Sequence, residues 1–237
     1  FGADGANSKV RRLAQDLPRF SYSQTYMPQS YIELNIPANP DGTHRLEKNA
    51  LHIWPRKDFM LIALPNPDGS FTCTLFMNHS GDPSFESLQE RADVERFFNE
   101  NFGDAMEHLE DPVGTFMAKT ASPLFLVQVF PWSFNNKVGL IGDAAHAIVP
   151  FHGQGMNLAF EDCVLLDHIV TDLGSDWANV FARFEAEQLA NANAIADMAL
   201  DNYIEMRDTV RDPKFALRKE LAFELERRLP EHFIPRY

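Results

Sequence analysis

The alternation of apolar and polar positions predicts a set of strands between residues 31 and 77. Side chains alternate there over short runs, which is the period of half-buried strands. The runs cover residues 31–36, 46–54, 59–64 and 71–77. The tetrapeptide NPDG follows at 39–42 and again at 66–69, and its residue types favour turns. The pattern therefore predicts an antiparallel sheet of hairpins that could line a pocket with one face.

Helical spacing appears in three other segments. Residues 93–102 predict a surface helix whose buried positions are Val94, Phe97, Phe98 and Phe102. A short amphipathic helix is predicted over 8–17. From 177 to 210 there is no Gly or Pro, so the C-terminal third predicts a long helix that ends before Pro213, followed by a second charged helix up to residue 228.

The stretch VGLIGDAAHAIVPFHGQGMNLAFED at 138–162 contains a segment that suits a strand, followed by one with the apolar spacing of a helix. Its first apolar residues, Val138, Leu140 and Ile141, suit a buried strand, and Gly142 and Asp143 end it. After a loop with two glycines, residues 156–166 have helical spacing. The order is therefore strand, acidic turn, glycine-rich loop and helix.

This order favours a ligand that carries both hydroxyl groups and negative charge. The Asp143 carboxylate at the strand end can accept hydrogen bonds from a polyol. Backbone N–H groups at 153–157, where the helix begins, attract an anion, and glycines let a ligand approach. The alternative is an ordinary turn in which Asp143 acts as a cap and His146 and His152 are satisfied loop residues.

The string LIGDAAHAIVPFHGQGMN resembles the GD motif of the flavin-dependent aromatic hydroxylases, and GADGANSKVRR at the N-terminus resembles their DG motif. The resemblance implies that the aspartate of the GD motif binds the ribityl chain of FAD. It also implies that the start of the helix faces the flavin pyrimidine, and that the DG motif borders the FAD and pyridine nucleotide. The cofactor-binding residues implied by the two motifs are Asp4, Arg11, Gly142, Asp143, Pro150, Gly153, Gln154, Gly155, Met156 and Asn157.

In this family a GxGxxG dinucleotide-binding unit precedes the DG motif, and it is not found in this sequence. The string GQGMNLA is no substitute, because Leu158 occupies the third glycine position. We therefore expect the chain to be a fragment that holds FAD weakly or not at all by itself.

The resemblance also implies the fold class. We expect part of a Rossmann-like FAD-binding domain (α/β) with an inserted antiparallel substrate sheet, which makes the whole α+β, and with C-terminal helices. The predicted segments are 1–20 and 126–173 for FAD binding, 21–125 for the substrate sheet and 174–237 for the helical region. Asp4 and Asp143 should end neighbouring strands of one nucleotide-binding sheet.

The segments NALHIWPRKDFMLIALPNPDGSFTCTLF, VPFHGQGMN and NYIEMRD together resemble the kynurenine-hydroxylating branch of that family. The substrate pocket implied by this resemblance consists of Leu51, Met60, Ile62, Leu64, Thr74, Phe76, Pro150, Phe151, His152, Asn202, Met206 and Tyr237. Independently, alternation predicts that Met60, Ile62, Leu64, Thr74 and Phe76 share one sheet face. The family's carboxylate-binding arginine and its partner tyrosine lie upstream of the DG motif, outside this sequence.

The implied reaction is FAD-dependent hydroxylation of L-kynurenine to 3-hydroxykynurenine with NAD(P)H and O2, in tryptophan degradation and NAD biosynthesis. No catalytic side chain is assigned, because the cofactor performs the difficult chemistry. Two alternatives remain open: a flavin monooxygenase for another aromatic substrate, and an inactive fragment that does not retain FAD.

Charge and composition narrow the remaining classes. A net charge of −13 and a pI near 5.0 argue against nucleic acid and anionic membranes as partners. We expect Cys73 and Cys163 to occupy buried apolar positions. The histidines lack the helical spacing that is found in zinc enzymes, so no metal is expected. Without a GxSxG motif or a spanning apolar run, we expect a cytoplasmic protein that is not a hydrolase. A membrane anchor after residue 237 and a homodimer are left open.

Overall fold

The computed structural model describes residues 1–207 and 212–234. The strands are β1 (Ser21–Ile36), β2 (His52–Pro55), β3 (Met60–Pro65), β4 (Phe71–Asn78), β5 (Ser122–Phe130), β6 (Ser133–Phe134) and β7 (Val138–Gly139). The helices are α1 (Lys9–Ala14), α2 (Arg91–Met106), α3 (Pro112–Ala118), α4 (Asp143–His146), α5 (Gly155–Leu173), α6 (Trp177–Arg207) and α7 (Pro213–Arg228). Within the described ranges, no helix is both long and apolar enough to cross a membrane.

The chain forms two compact units. The first contains Phe1–Met27 and Pro123–Tyr203, and the second contains Pro28–Ser122 together with the described residues after Tyr203. The sequence-based boundaries, after residues 20 and 125, lie a few residues away. The C-terminal helices differ from their predicted grouping, because α6 up to Tyr203 belongs to the first unit. Its residues Val180 and Phe184 are part of that unit's core.

The second unit is built on an antiparallel sheet in which the strand order is β2-β3-β4-β1. Three predicted strands are confirmed, at 31–36, 59–64 and 71–77, although β1 begins ten residues before Tyr31. At the second NPDG turn, the Asn66 N–H donates to the Ser70 carbonyl (2.8 Å), and Gly69 has φ +88°. Only glycine adopts that conformation without strain, which explains the turn's position.

The predicted strand at 46–54 is wrong in its first half, because β2 begins only at His52. The chain turns before it. The Asn49 N–H donates to the Glu47 side chain (2.9 Å), and the His52 Nε2 atom lies 2.8 Å from the Glu47 carbonyl oxygen. These local hydrogen bonds satisfy polar groups that a β-ladder would otherwise pair. Residues 46–51 lie outside β2, and Leu51 is exposed.

One face of the sheet packs against α2 and α3 to form the core of the second unit. That core includes Ile32, Leu34, Ile36, Leu61, Ala63, Phe71, Cys73, Leu75, Met77, Val94, Phe97, Phe98, Phe102 and Phe116. The four predicted inward positions of α2 are therefore confirmed. Burial raises the pKa of the Cys73 thiol to about 12, as expected for an inert apolar position.

The first unit brings the two acidic turns together. Gly2 pairs with Leu140 as a parallel bridge, in which the Gly2 N–H donates to the Gly139 carbonyl (2.8 Å) and the Ile141 N–H donates to the Gly2 carbonyl (3.1 Å). Asp4 and Asp143 therefore follow neighbouring extended segments, but an isolated bridge joins these segments where two strands of one sheet were predicted. Regular strand structure there is shorter than predicted, since β7 contains two residues and pairs with β6.

Helix α5 buries a narrower face than its apolar residues suggest, since Met156, Phe160 and Val164 are exposed. Its buried positions are Leu158, Asp162, Leu166 and Ile169. The prediction that Cys163 is buried is wrong. One residue advances a helix by about 100°, so Cys163 follows the buried Asp162 onto an exposed surface.

Candidate functional site

The turn that carries Asp143 depends on a glycine. Gly142 has φ +57° and ψ −147°, a conformation that is essentially restricted to glycine. It is the N-cap of α4, so Asp143 is the first residue of that single helical turn rather than the last residue of a strand. The Asp143 side chain is exposed, and its carboxylate accepts no hydrogen bond from the described part of the chain.

The start of α5 is open. Residues Pro150–His152 form a 3-10 turn that Gly153 ends with φ +66°, and Gln154 is the N-cap of α5 but makes no side-chain capping bond. A helix of 19 residues has a substantial positive partial charge at this end, together with N–H groups that lack intrahelical partners. The terminus can therefore bind an anionic or carbonyl-bearing group.

Both features open into one cavity of about 620 Å³ within the first unit. Its lining consists of Ala3, Gly5, Ile141, Gly142, Asp143, Ile148, Val149, Pro150, Gly153, Gly155, Met156, Ala159, Phe160 and Cys163. Six of the predicted cofactor-binding residues are in this set: Gly142, Asp143, Pro150, Gly153, Gly155 and Met156. Two others, Gln154 and Asn157, hydrogen-bond to each other at 2.8 Å beside it.

Asp4 has a different environment, in which its carboxylate caps α1. It accepts from the Ser8 hydroxyl (2.5 Å) and from the backbone N–H groups of Lys9 (2.7 Å) and Val10 (3.3 Å). The hydrogen bond from Ser8, followed by those from the backbone, lowers the pKa of Asp4. These contacts are structural, and the cofactor contact that the resemblance implies for Asp4 stays a prediction.

Arg11 is buried and binds backbone carbonyl groups. Its guanidinium donates to the carbonyls of Ala144 (2.9 Å), Asp143 (3.5 Å) and Ala6, and it lies over the ring of Tyr22 at 5.2 Å. Arg11 thus ties the turn of Asp4 to α4. Its predicted contact with the cofactor also remains a prediction.

A buried carboxylate on α5 was missed by the sequence analysis. Asp162 is fully buried and accepts hydrogen bonds from the Gly142 N–H (2.7 Å), the His146 Nε2–H (2.7 Å) and the Gln188 side chain (3.0 Å). A signal was present, because Asp162 lies four residues from both Leu158 and Leu166, where an apolar side chain is expected. A charge at such a position indicates a specific partner.

Five of the predicted substrate residues share one face of the sheet in the second unit. Strand register pairs Met60 with Phe76 and Ile62 with Thr74, and Leu64 is the next residue on that face. This face is opposite to the one that packs on α2 and α3. Met60, Ile62 and Phe76 are nevertheless buried, whereas Leu64 is 47% exposed.

Other predicted substrate residues lie in the first unit around the 3-10 turn. The Asn202 side chain donates to the Phe151 carbonyl (2.6 Å), and the ring of Tyr203 stacks on that of Phe151 with centroids 4.2 Å apart. His152 is half-buried. Met206, which belongs to the second unit, is buried near the end of α6, and Tyr237 lies outside the described residues.

No group of three metal-ligating side chains is found in residues 1–207 and 212–234. The Nε2 atom of His146 on α4 lies 2.7 Å from the Asp162 carboxylate.

Comparison with known proteins gives a consistent result. A family model described as FAD binding domain matches residues 1–198. A Flavobacterium johnsoniae protein named kynurenine 3-monooxygenase is 47% identical over 237 residues, which is 100% of this chain and 53% of that protein. Proteins of the same name from Myxococcus xanthus and Dictyostelium discoideum are 47% and 44% identical, and this chain covers 51% and 54% of them. The chain thus spans about half the length of the curated relatives it matches.

Solved structures agree on the fold. The tetrameric form of 2-methyl-3-hydroxypyridine-5-carboxylic acid oxygenase is similar with a TM-score of 0.68 at 20% identity, over 90% of this chain and 56% of that one. An FAD complex of Klebsiella pneumoniae HpxO gives a TM-score of 0.62 at 20% identity, over 96% and 57%. These similarities confirm the predicted fold class.

Proposed function

Because this chain belongs to the FAD binding domain family, we propose that the cavity beside Asp143 holds FAD. One observation supports this position more than any other. The Asp143 carboxylate and the uncapped start of α5 open into the same cavity, so an acceptor for hydroxyl groups and a donor site for negative charge face one ligand.

The residues around the cavity fit such a cofactor. Asp143 would accept hydrogen bonds from ribityl hydroxyls, and the backbone N–H groups at the start of α5 would donate to the pyrimidine end of the flavin. Gly153 lines the cavity, and a Cβ added there would meet open space, so the backbone can be approached closely. When bound, FAD supplies the electron transfer and oxygen chemistry.

For the whole protein, the proposed reaction is the 3-hydroxylation of L-kynurenine with NAD(P)H and O2. Its support is the full-chain similarity to proteins named kynurenine 3-monooxygenase. An aromatic amino acid needs an apolar wall with a few polar contacts. In the second unit, the sheet face with Met60, Ile62 and Phe76 offers such a wall, and Thr74 adds a hydroxyl on the same face.

The task of this wall is to hold the aromatic ring and to exclude water, because precise positioning accounts for a large share of the rate in such reactions. In the first unit, the Asn202 side chain is held by its hydrogen bond to the Phe151 carbonyl, which suits a preorganised contact. Pro150, His152, Met206, Leu51, Leu64 and Tyr237 complete the set of proposed substrate contacts.

The cofactor assignment is tested with Asp143→Ala in a version of the protein that spans the relatives' full length. Loss of an acceptor for buried hydroxyl groups should weaken FAD binding by about 1–3 kcal/mol. The measurement is a titration of FAD followed by flavin fluorescence, with the exposed Asp167→Asn on α5 as the control. An unchanged dissociation constant for Asp143→Ala would refute the proposed role.

The substrate wall is tested with Phe76→Ala. A larger pocket should misplace the ring, so the amount of 3-hydroxykynurenine formed per NAD(P)H oxidised should fall while hydrogen peroxide rises. The control is Phe130→Ala, which removes an exposed ring in the first unit. Unchanged coupling would mean that Phe76 does not contact the substrate. Efficient hydroxylation of another aromatic acid, without activity on L-kynurenine, would retain the flavin assignment and replace the substrate.

A further inference from the structure

The buried carboxylate of Asp162 holds both ends of the single helical turn that begins with Asp143. Its Oδ2 atom accepts from the N–H of Gly142, the N-cap of α4, and from Nε2 of His146, the last residue of α4. Its Oδ1 atom accepts from Gln188 on α6. Two of the three donors therefore belong to the turn that carries the candidate cofactor ligand.

Core packing alone does not explain an aspartate at this position. A leucine would continue the apolar face that Leu158 and Leu166 form, whereas a buried carboxylate loses its hydration and needs several donors in return. Buried charged groups contribute little net stability, and their best-supported use is to select one conformation among alternatives. The conformation selected here is that of Gly142 and α4.

The selected conformation is an unusual one. Gly142 lies in the glycine-restricted region, and its N–H points at the Asp162 carboxylate over 2.7 Å. Since α4 has only four residues, its own hydrogen bonds can hardly hold it in place. Arg11, on α1, also donates to the carbonyls of Ala144 and Asp143 in this turn. The direction of the Asp143 side chain is thus set by contacts from outside α4.

We propose that Asp162 is a positioning residue for FAD binding, which acts by holding Gly142 and His146 so that the Asp143 carboxylate faces the cavity. This rests on the proposed function, in which Asp143 accepts hydrogen bonds from FAD. Asp162 itself does not line the cavity, whereas Gly142 and Asp143 of the turn that it holds do.

The test is a double-mutant cycle in a version of the protein that spans the full length of its relatives. Asp162→Asn keeps the size of the side chain but presents an N–H group where Oδ1 or Oδ2 accepted a bond. We expect the FAD dissociation constant to rise about tenfold, measured by fluorescence titration at a temperature where the apoprotein of each variant is fully folded by circular dichroism. Asp167→Asn on the exposed face of α5 is the matched control and should leave the constant unchanged.

The same replacement is then made together with Asp143→Ala. If Asp162 acts through Asp143, its effect should largely disappear in that background, because the group that it positions is gone. A purely structural role predicts a lower melting temperature with no such coupling. Unchanged FAD affinity in Asp162→Asn, or an equal loss in both backgrounds, would overturn the proposal.

The outcomes also separate this inference from the proposed function. If Asp143→Ala binds FAD as tightly as the unaltered protein, the cofactor assignment fails. If Asp143→Ala weakens binding but Asp162→Asn does not, only the positioning role fails. Should Asp162→Asn not fold, His146→Phe keeps an aromatic ring but removes one donor while Gly142 keeps its bond, and a loss of affinity of about threefold is expected. No loss in that variant would equally contradict the proposal.

Discussion

Two turns in the first unit each contain an aspartate next to a glycine, but the environments of the two carboxylates differ. At Asp4, three donors from the following helix surround the carboxylate, so it caps α1. At Asp143, the side chain lines a cavity, and the hydrogen bonds that fix the turn come from Asp162 and Arg11 instead.

The difference shows how a carboxylate becomes available to a ligand. An aspartate that stabilises its own helix has little capacity left for a ligand, because its lone pairs are already used. An aspartate whose turn is held by other residues keeps that capacity. The same pair of residue types thus gives a cap in one place and a candidate binding group in the other.

Gly142, in the turn of Asp143, is the residue whose replacement should reduce stability most. Gly142→Ala forces a side chain into a glycine-restricted conformation, and its Cβ would lie 3.3 Å from that of Ala159. We expect a loss of roughly 3 kcal/mol in stability and a clear loss of FAD affinity. Gly5 has φ +78° with open space around it, so Gly5→Ala should cost only about 1 kcal/mol. Chemical unfolding measures both, and equal costs would contradict the distinction between the turns.

A smaller effect is expected at the cap. Asp4→Ala removes the acceptor for Ser8, Lys9 and Val10, and should lower the free energy of unfolding by about 1 kcal/mol. If Asp4 is only a cap, FAD affinity should change much less than it does in Asp143→Ala. A loss of affinity as large as that of Asp143→Ala would show that Asp4 contacts the cofactor, as the family resemblance implies.

The smallest effect concerns pH. Hydrogen bonds from Ser8 and the helix backbone hold the pKa of Asp4 below its usual value of 3.8. Its contribution to stability is therefore complete above the unfolded value and is lost as the pH falls through the lower, folded pKa. The difference in melting temperature between the unaltered protein and Asp4→Asn should be constant near neutral pH and should shrink in acid. A difference that grows in acid would exclude the cap as its source.

Much of the fold followed from local patterns. Alternation predicted β3 and β4 and the shared face of Met60, Ile62 and Phe76, since a strand's period is fixed by its backbone. The failures also have local causes. At Leu46 and Leu51 the apolar pattern continued, but hydrogen bonds to Glu47 turned the chain, and periodicity does not register such bonds.

Within the candidate site, the acidic turn, the glycines and the start of α5 could be predicted from the sequence, because these features depend on neighbouring residues. The partner of each polar group, in contrast, follows from the tertiary structure. Asp162 and Gln188 are polar residues on helix faces that are otherwise apolar. The partners of Asp162 include Gly142 and Gln188, which lie 20 and 26 residues away from it along the chain. Hydrogen bonds between distant segments depend on how helices pack, and packing is a property of the whole core rather than of any one pattern.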